Sequence, residues 1–183
     1  MLLVYTFVFS VVFNARWEMG ADETSTQFAV VLFSGLIVHS FFAEVLSKAP
    51  GLILGNSNYV KKVVFPLEIL PAIALGSAIF HTAISLLVLQ FAYLVFTGMP
   101  PWTIVLAPFV FFPLAVLSLG AAWILAALGV FLRDIGQFIG VIITVLLFLS
   151  PIFFPMERMP EDYQFLILLN PLTFIIEQAR EVL

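Results

Sequence analysis

Residues 104–132 read IVLAPFVFFPLAVLSLGAAWILAALGVFL, a run without one charged side chain. A helix needs about 20 predominantly apolar residues to cross a hydrocarbon core of roughly 30 Å, so this stretch is long enough to span a bilayer. Pro108 and Pro113 predict a bend in its first half. The run is apolar all round instead of along one stripe, and its natural solvent is lipid.

Working outward, the same reading recurs. Residues 28–46 are interrupted by Ser34, His39, Ser40 and Glu44, and residues 67–96 by Glu68, His81 and Gln90. Residues 138–154 are almost wholly Ile, Val, Leu and Phe, ending where Ser150, Pro151 and Pro155 break a helix. Residues 2–13 are apolar but half the length of a crossing. They lack the preceding basic stretch and following small-residue cleavage site of a signal peptide, so they read as part of a span. With the abrupt ends at Met1 and Leu183, the expectation is a chain truncated at both ends. Composition agrees with a membrane class: 63% hydrophobic and 10% charged residues with a mean hydropathy of +1.18, against roughly 45–50% and 25% in soluble domains. The expected fold is all-α, one polytopic transmembrane helical bundle over residues 1–183.

Five crossings alternate sides, which groups residues 47–66 with Arg133 on one face. That face holds Lys48, Lys61, Lys62 and Arg133, against Arg16, Arg158 and Arg180 on the other, and the positive-inside rule puts the lysine loop in the cytoplasm. Net charge −4 and a pI near 5.0 argue against nucleic acid as a partner. The absence of cysteine removes disulfides and thiolate sites. No phosphate loop, nucleophile motif or zinc-protease motif is present, so no catalytic, cofactor or metal residues are named, and the chain is read as not an enzyme.

The polar residues within the spans are the next candidates, because a charge at mid-bilayer is costly unless paired or hydrated. Glu44 and Glu68 lie beside the lysine loop, where pairing with Lys48 or Lys62 is expected. His39 and His81 have no carboxylate in helical register, which predicts interhelical hydrogen bonding in place of catalysis. Small residues four apart, Ala72 and Gly76, Ser118, Ala122 and Ala126, Gly136 and Gly140, predict close helix packing or a dimer. Trp17 and Trp102 suit an aromatic belt at the span ends. Trp123, Phe148, Phe153 and Phe154 either face lipid or line a path, where rings stack on the apolar faces of sugars.

Three stretches carry more than composition. They are APGLILGNSNYVKKVVFPLEILP at 49–71, GVFLRDIGQ at 129–137, and LSPIFFPMERMP at 149–160 followed by LNPLT at 169–173. In order and spacing they resemble the membrane-spanning permease subunits of type 2 ABC exporters, most closely the branch that exports O-antigen, capsular and teichoic-acid polymers. The opening VYTFVF at 4–9 resembles that branch's first span, although such permeases usually have six spans and an N-terminal interfacial segment. The resemblance implies a coupling helix within about 47–66 that docks on a separate ATPase subunit. Leu52, Ile53 and Leu54 would insert there, and Asn56, Asn58, Lys61 and Lys62 would bond. Arg133 and Asp134 would share that face, with an intrachain salt bridge as the alternative.

The resemblance also implies that residues 155–183 form an outer gate hairpin broken at Asn170 and Pro171, with Phe153, Phe154 and Tyr163 near the exit; a surface amphipathic tail is the alternative. The implied protein is a homodimeric permease in the bacterial inner membrane. It moves lipid-linked polysaccharide of the lipopolysaccharide O-antigen kind, with ATP and Mg bound by the partner and no cofactor in this chain. Rival readings are a type 2 ABC exporter of drugs or lipids, an ion-coupled secondary transporter, which needs paired intramembrane charges and repeats, and a membrane enzyme.

Overall fold

The computed structural model describes residues 25–56, 66–96, 98, 102–132, 134–153, 165, 167 and 170–183. Among these, every regular element is helical. Helix α1 covers Ser25–Lys48 and passes through a 3-10 turn, Ala49–Gly51, into the short α2, Leu52–Gly55. The long α3 covers Ile69–Phe96, and a 3-10 turn at Trp102–Leu106 leads into α4, Ala107–Phe131. Helix α5 covers Ile135–Leu149 and α6 covers Pro171–Val182.

Three stretches, Val30–Gly55, Ile69–Val95 and Trp102–Phe131, are long and apolar enough to cross a membrane. Helix α1 is the central staff: it packs against α3, α4, α5 and α6. Over its most apolar window 56% is buried, against 17% for the other two. The core therefore forms around Val38, Phe41, Val45, Leu114 and Ile176. Helices α3 and α4 turn Phe80, Leu87, Phe91, Phe109 and Phe112 outward. In water so large an apolar face would demand a partner; against acyl chains it costs nothing, and helix association rests on packing and interhelical hydrogen bonds.

Helix boundaries follow local chemistry. Pro108 sits in the first turn of α4, where its missing N–H has no intrahelical partner to lose, and the helix continues through Pro113. The apolar run expected to reach residue 154 stops as a helix at Leu149. Ser150 adopts an extended conformation (φ −92°, ψ 145°), as a residue before proline prefers. The 15 residues of α5 rise only about 22 Å, less than the thickness of a hydrocarbon core. At the end of α3, Gly98 (φ +112°) returns its N–H to the Tyr93 carbonyl at 3.2 Å, a closure that glycine alone makes without strain.

Candidate functional site

At the lysine-loop end, residues 49–56 form a compact ledge on α4. Ala49 and Pro50 are buried, and a Cβ added at Gly129 would lie 2.1 Å from the Pro50 carbonyl oxygen. Glycine at 129 is thus what lets the 3-10 turn lie directly on the α4 backbone. Beyond it, Leu52 and Ile53 are half-buried and Leu54 is exposed. Asn56 donates its side-chain amide to the Leu52 carbonyl at 2.8 Å and closes the short α2. Of the residues expected to meet a partner, Leu54 faces outward, whereas Asn56 already spends its donor on its own helix. Asn58, Lys61, Lys62 and Arg133 lie outside the described residues; Asp134 is exposed at the start of α5.

At the opposite end, α6 is fastened into the bundle. The Asn170 side-chain oxygen Oδ1 accepts from Leu172 N–H at 3.0 Å, capping α6, while its side-chain Nδ2 donates to Ser150 Oγ at 2.8 Å. Ser150 in turn donates to the Leu146 carbonyl at 2.6 Å, and Thr173 to the Ile167 carbonyl at 2.7 Å. Leu172, Ile175, Ile176 and Ala179 are buried against the bundle, so α6 is a packed element and not a tail lying free on a surface. Arg180 reaches inward and donates to the Ile152 carbonyl at 3.1 Å, passing Gly35 of α1, where an added Cβ would lie 3.3 Å from Nη2. Burial pushes this guanidinium down to about 10 against the opposing effect of Glu177, and it is cationic at neutral pH. Thr103 donates to the Val182 carbonyl at 2.9 Å, tying the far end of α6 to the turn before α4. Phe148 and Phe153 pair with ring centroids 6.2 Å apart. Phe154 and Tyr163 lie outside the described residues.

Over its full length, residues 1–183, the sequence matches the family described as ABC-2 type transporter. The chain belongs to the ABC-2 type transporter family. It is 24% identical over 185 residues to an O-antigen export system permease protein RfbA of Klebsiella pneumoniae, covering 98% of this chain and 67% of that protein. To RfbA of Myxococcus xanthus it is 23% identical over 183 residues, covering 99% and 67%. To the polysialic acid transport protein KpsM of Escherichia coli it is 26% identical over 157 residues, covering 84% and 60%. The chain thus spans about two thirds of the length of the RfbA proteins.

For an ABC-2 family member, a helical membrane bundle is the fold to be explained, and the stretches at 49–56 and 129–137 are part of that explanation, since Pro50 and Gly129 touch. The indole of Trp123 is half exposed and donates to the Glu68 carbonyl at 3.0 Å, ahead of α3; it is engaged there, while the rings of Phe148 and Phe153 engage each other. The interhelical hydrogen bonding expected of His81 is present: its Nδ1 donates to Glu44 Oε1 at 2.8 Å, and Lys48, the expected neighbour of Glu44, donates to the same oxygen at 2.6 Å. The pairing crosses from α1 to α3, which helical register within one segment cannot reveal. His39 donates from Nε2 to the Ile143 carbonyl at 3.1 Å, an interhelical bond between α1 and α5. Among the described residues no group of three metal-ligating side chains occurs.

Proposed function

We infer that this chain is the permease of an ATP-driven exporter that moves lipid-linked polysaccharide of the O-antigen kind out across the bacterial inner membrane. It works as a homodimer with two copies of an ATPase subunit, which binds ATP and Mg. The kinship with an O-antigen export permease, RfbA, and a polysialic acid transport protein, KpsM, supports the substrate class. The observation that carries the mechanism is the contact of the 49–51 turn with Gly129. Interiors packed without a gap transmit displacement, so a push delivered to residues 49–62 by a partner reaches the α4 backbone directly, and through α1 reaches α6, which leans on Gly35 and α4. No covalent chemistry is required of the permease. It supplies a path and a gate, and the free energy comes from the partner.

The test is copurification of the full-length protein with its ATPase. Replacing Leu54 with Glu and Lys61 with Glu is expected to abolish the complex while membrane insertion persists. Unchanged binding and unchanged stimulation of ATP hydrolysis would remove the coupling assignment.

A further inference from the structure

Trp123 lies on α4 shortly before Gly129, which on a regular helix is about 9 Å along the axis and about a third of a turn round it. The two residues meet opposite ends of the segment that joins α1 to α3. Gly129 lies against the Pro50 carbonyl where the chain leaves α1, and the Trp123 indole donates to the Glu68 carbonyl at 3.0 Å where the chain enters α3. Near the first of these feet, the 3-10 turn at 49–51 and α2 both pack on α4, and α2 also touches α3. Ala122 and Ala126 are buried and fall between Trp123 and Gly129 on the helix surface, and side chains so small let a neighbouring backbone come close. The second foot is stiff. Ile69 N–H closes on the Pro66 carbonyl at 3.2 Å and Leu70 N–H on the Leu67 carbonyl at 3.1 Å, and Pro66 and Pro71 bracket these turns with a fixed φ. A bond to Glu68 therefore holds the start of α3 as a body. Trp102, at the other end of α4, is 81% exposed as a belt ring is; Trp123 sits inside the span with its N–H spent on a backbone group.

We propose that α4 is the common seat of both legs of the 49–68 segment, and that Trp123 is a positioning residue of energy coupling: its indole tethers the returning leg as Gly129 seats the outgoing one. The coupling role rests on the function proposed above. A segment with a single foot on α4 could swing about that foot without moving the helix. With two feet on one helix, a displacement applied at the exposed Leu54 is passed to α4 and to the start of α3 together, because close-packed groups transmit strain. The tether is one hydrogen bond, and its N–H is the part of Trp123 that matters. The ring is thereby assigned to the coupling end of the protein and taken out of the export path.

The experiment uses the full-length permease with its ATPase, reconstituted in lipid. Trp123→Phe removes the N–H and keeps a ring. In a background with every other tryptophan replaced by phenylalanine, benzothienylalanine at 123 removes the N–H alone, with sulfur in place of nitrogen. Both changes should lower the polymer exported per ATP hydrolysed severalfold. In both, amide exchange at residues 67–70 should quicken about fivefold, the equilibrium factor of one interhelical hydrogen bond, while exchange in α6 stays as it was. In the same background, 5-fluorotryptophan at 123 should move its fluorine resonance when ATP is trapped in the partner and hold it when polymer alone is added. Export by the wild type with an unchanged ratio of polymer to ATP in both variants removes this assignment alone. Unchanged exchange at 67–70, or a resonance that polymer moves and trapped ATP does not, also overturns it. A wild-type complex whose resonance answers to ATP but which exports no polysaccharide removes the substrate reading and leaves the tether in place.

Discussion

His81 Nδ1, near the middle of α3, donates to Glu44 Oε1 of α1 across 2.8 Å, and this joins two helices whose partners are 37 residues apart in sequence. Polar contacts between membrane helices are worth less than their lipid surroundings suggest, about 0.6 kcal/mol on average and up to about 1.7. A double-mutant cycle with Glu44→Gln and His81→Phe, read by thermal unfolding in detergent, should therefore return a coupling of about 0.6 kcal/mol. A coupling indistinguishable from zero would mean that the two side chains do not meet in the folded protein.

Gly129 and Gly120 lie on the same helix and make opposite predictions. An added methyl at 129 collides with the Pro50 carbonyl, whereas one at 120 meets nothing within 4 Å. Overpacking costs about 1–3 kcal/mol, and Gly129→Ala should lower the unfolding temperature and weaken ATPase-coupled export. Gly120→Ala should leave both unchanged or gain up to about 1 kcal/mol from helix propensity. Equal behaviour of the two variants in the same assay would show that the ledge does not rest on α4.

Asn170 is buried and makes two hydrogen bonds with its one side chain. Asn170→Ala removes the cap of α6 and leaves Ser150 without that donor, a loss of about 1–3 kcal/mol. Asn170→Asp keeps the cap but turns a carboxylate oxygen toward Ser150 Oγ, whose own proton already goes to Leu146; it should fall between wild type and Asn170→Ala. Limited proteolysis around residues 154–170 would report the loosening, and wild-type resistance in Asn170→Ala would count against a fastened α6.

Much of the architecture is legible in the one-dimensional pattern, because span length and apolarity are properties of consecutive residues. The uncharged run at 104–132 contains α4, and Asn170 with Pro171 marks the start of α6 through a cap and a proline at its first turn. Pro151 announces the end of α5, although the helix stops at Leu149, earlier than the apolar run does. The site was legible only in parts. Gly129 stands out in a motif, but that its partner is the Pro50 carbonyl depends on how α1 turns into α2. His81 looks unpaired along its own helix, while Glu44 already has Lys48 one turn on, and the bond between His81 and Glu44 exists only once α1 and α3 are packed. Trp123 likewise reads as a ring deep in a span until the chain before α3 brings the Glu68 carbonyl to its indole.

Topology is tested by single cysteines introduced at 61 and 102. With a membrane-impermeant thiol reagent on intact cells, position 102 should react and position 61 should react only after permeabilisation. Reaction at 61 from outside would invert the arrangement and place the 49–56 ledge out of reach of any cytoplasmic ATPase.

The central claim, that ATP hydrolysis by a partner drives lipid-linked polysaccharide through this chain, is tested most directly by transport in inverted membrane vesicles containing the full-length permease and its ATPase. Lipid-linked polymer added outside the vesicles, on the cytoplasmic face, should become protected inside them on addition of ATP. Protection should vanish with a non-hydrolysable ATP analogue and fall strongly in Gly129→Ala. Polymer that stays accessible with ATP present, while the ATPase turns over normally in complex with the permease, would contradict the account.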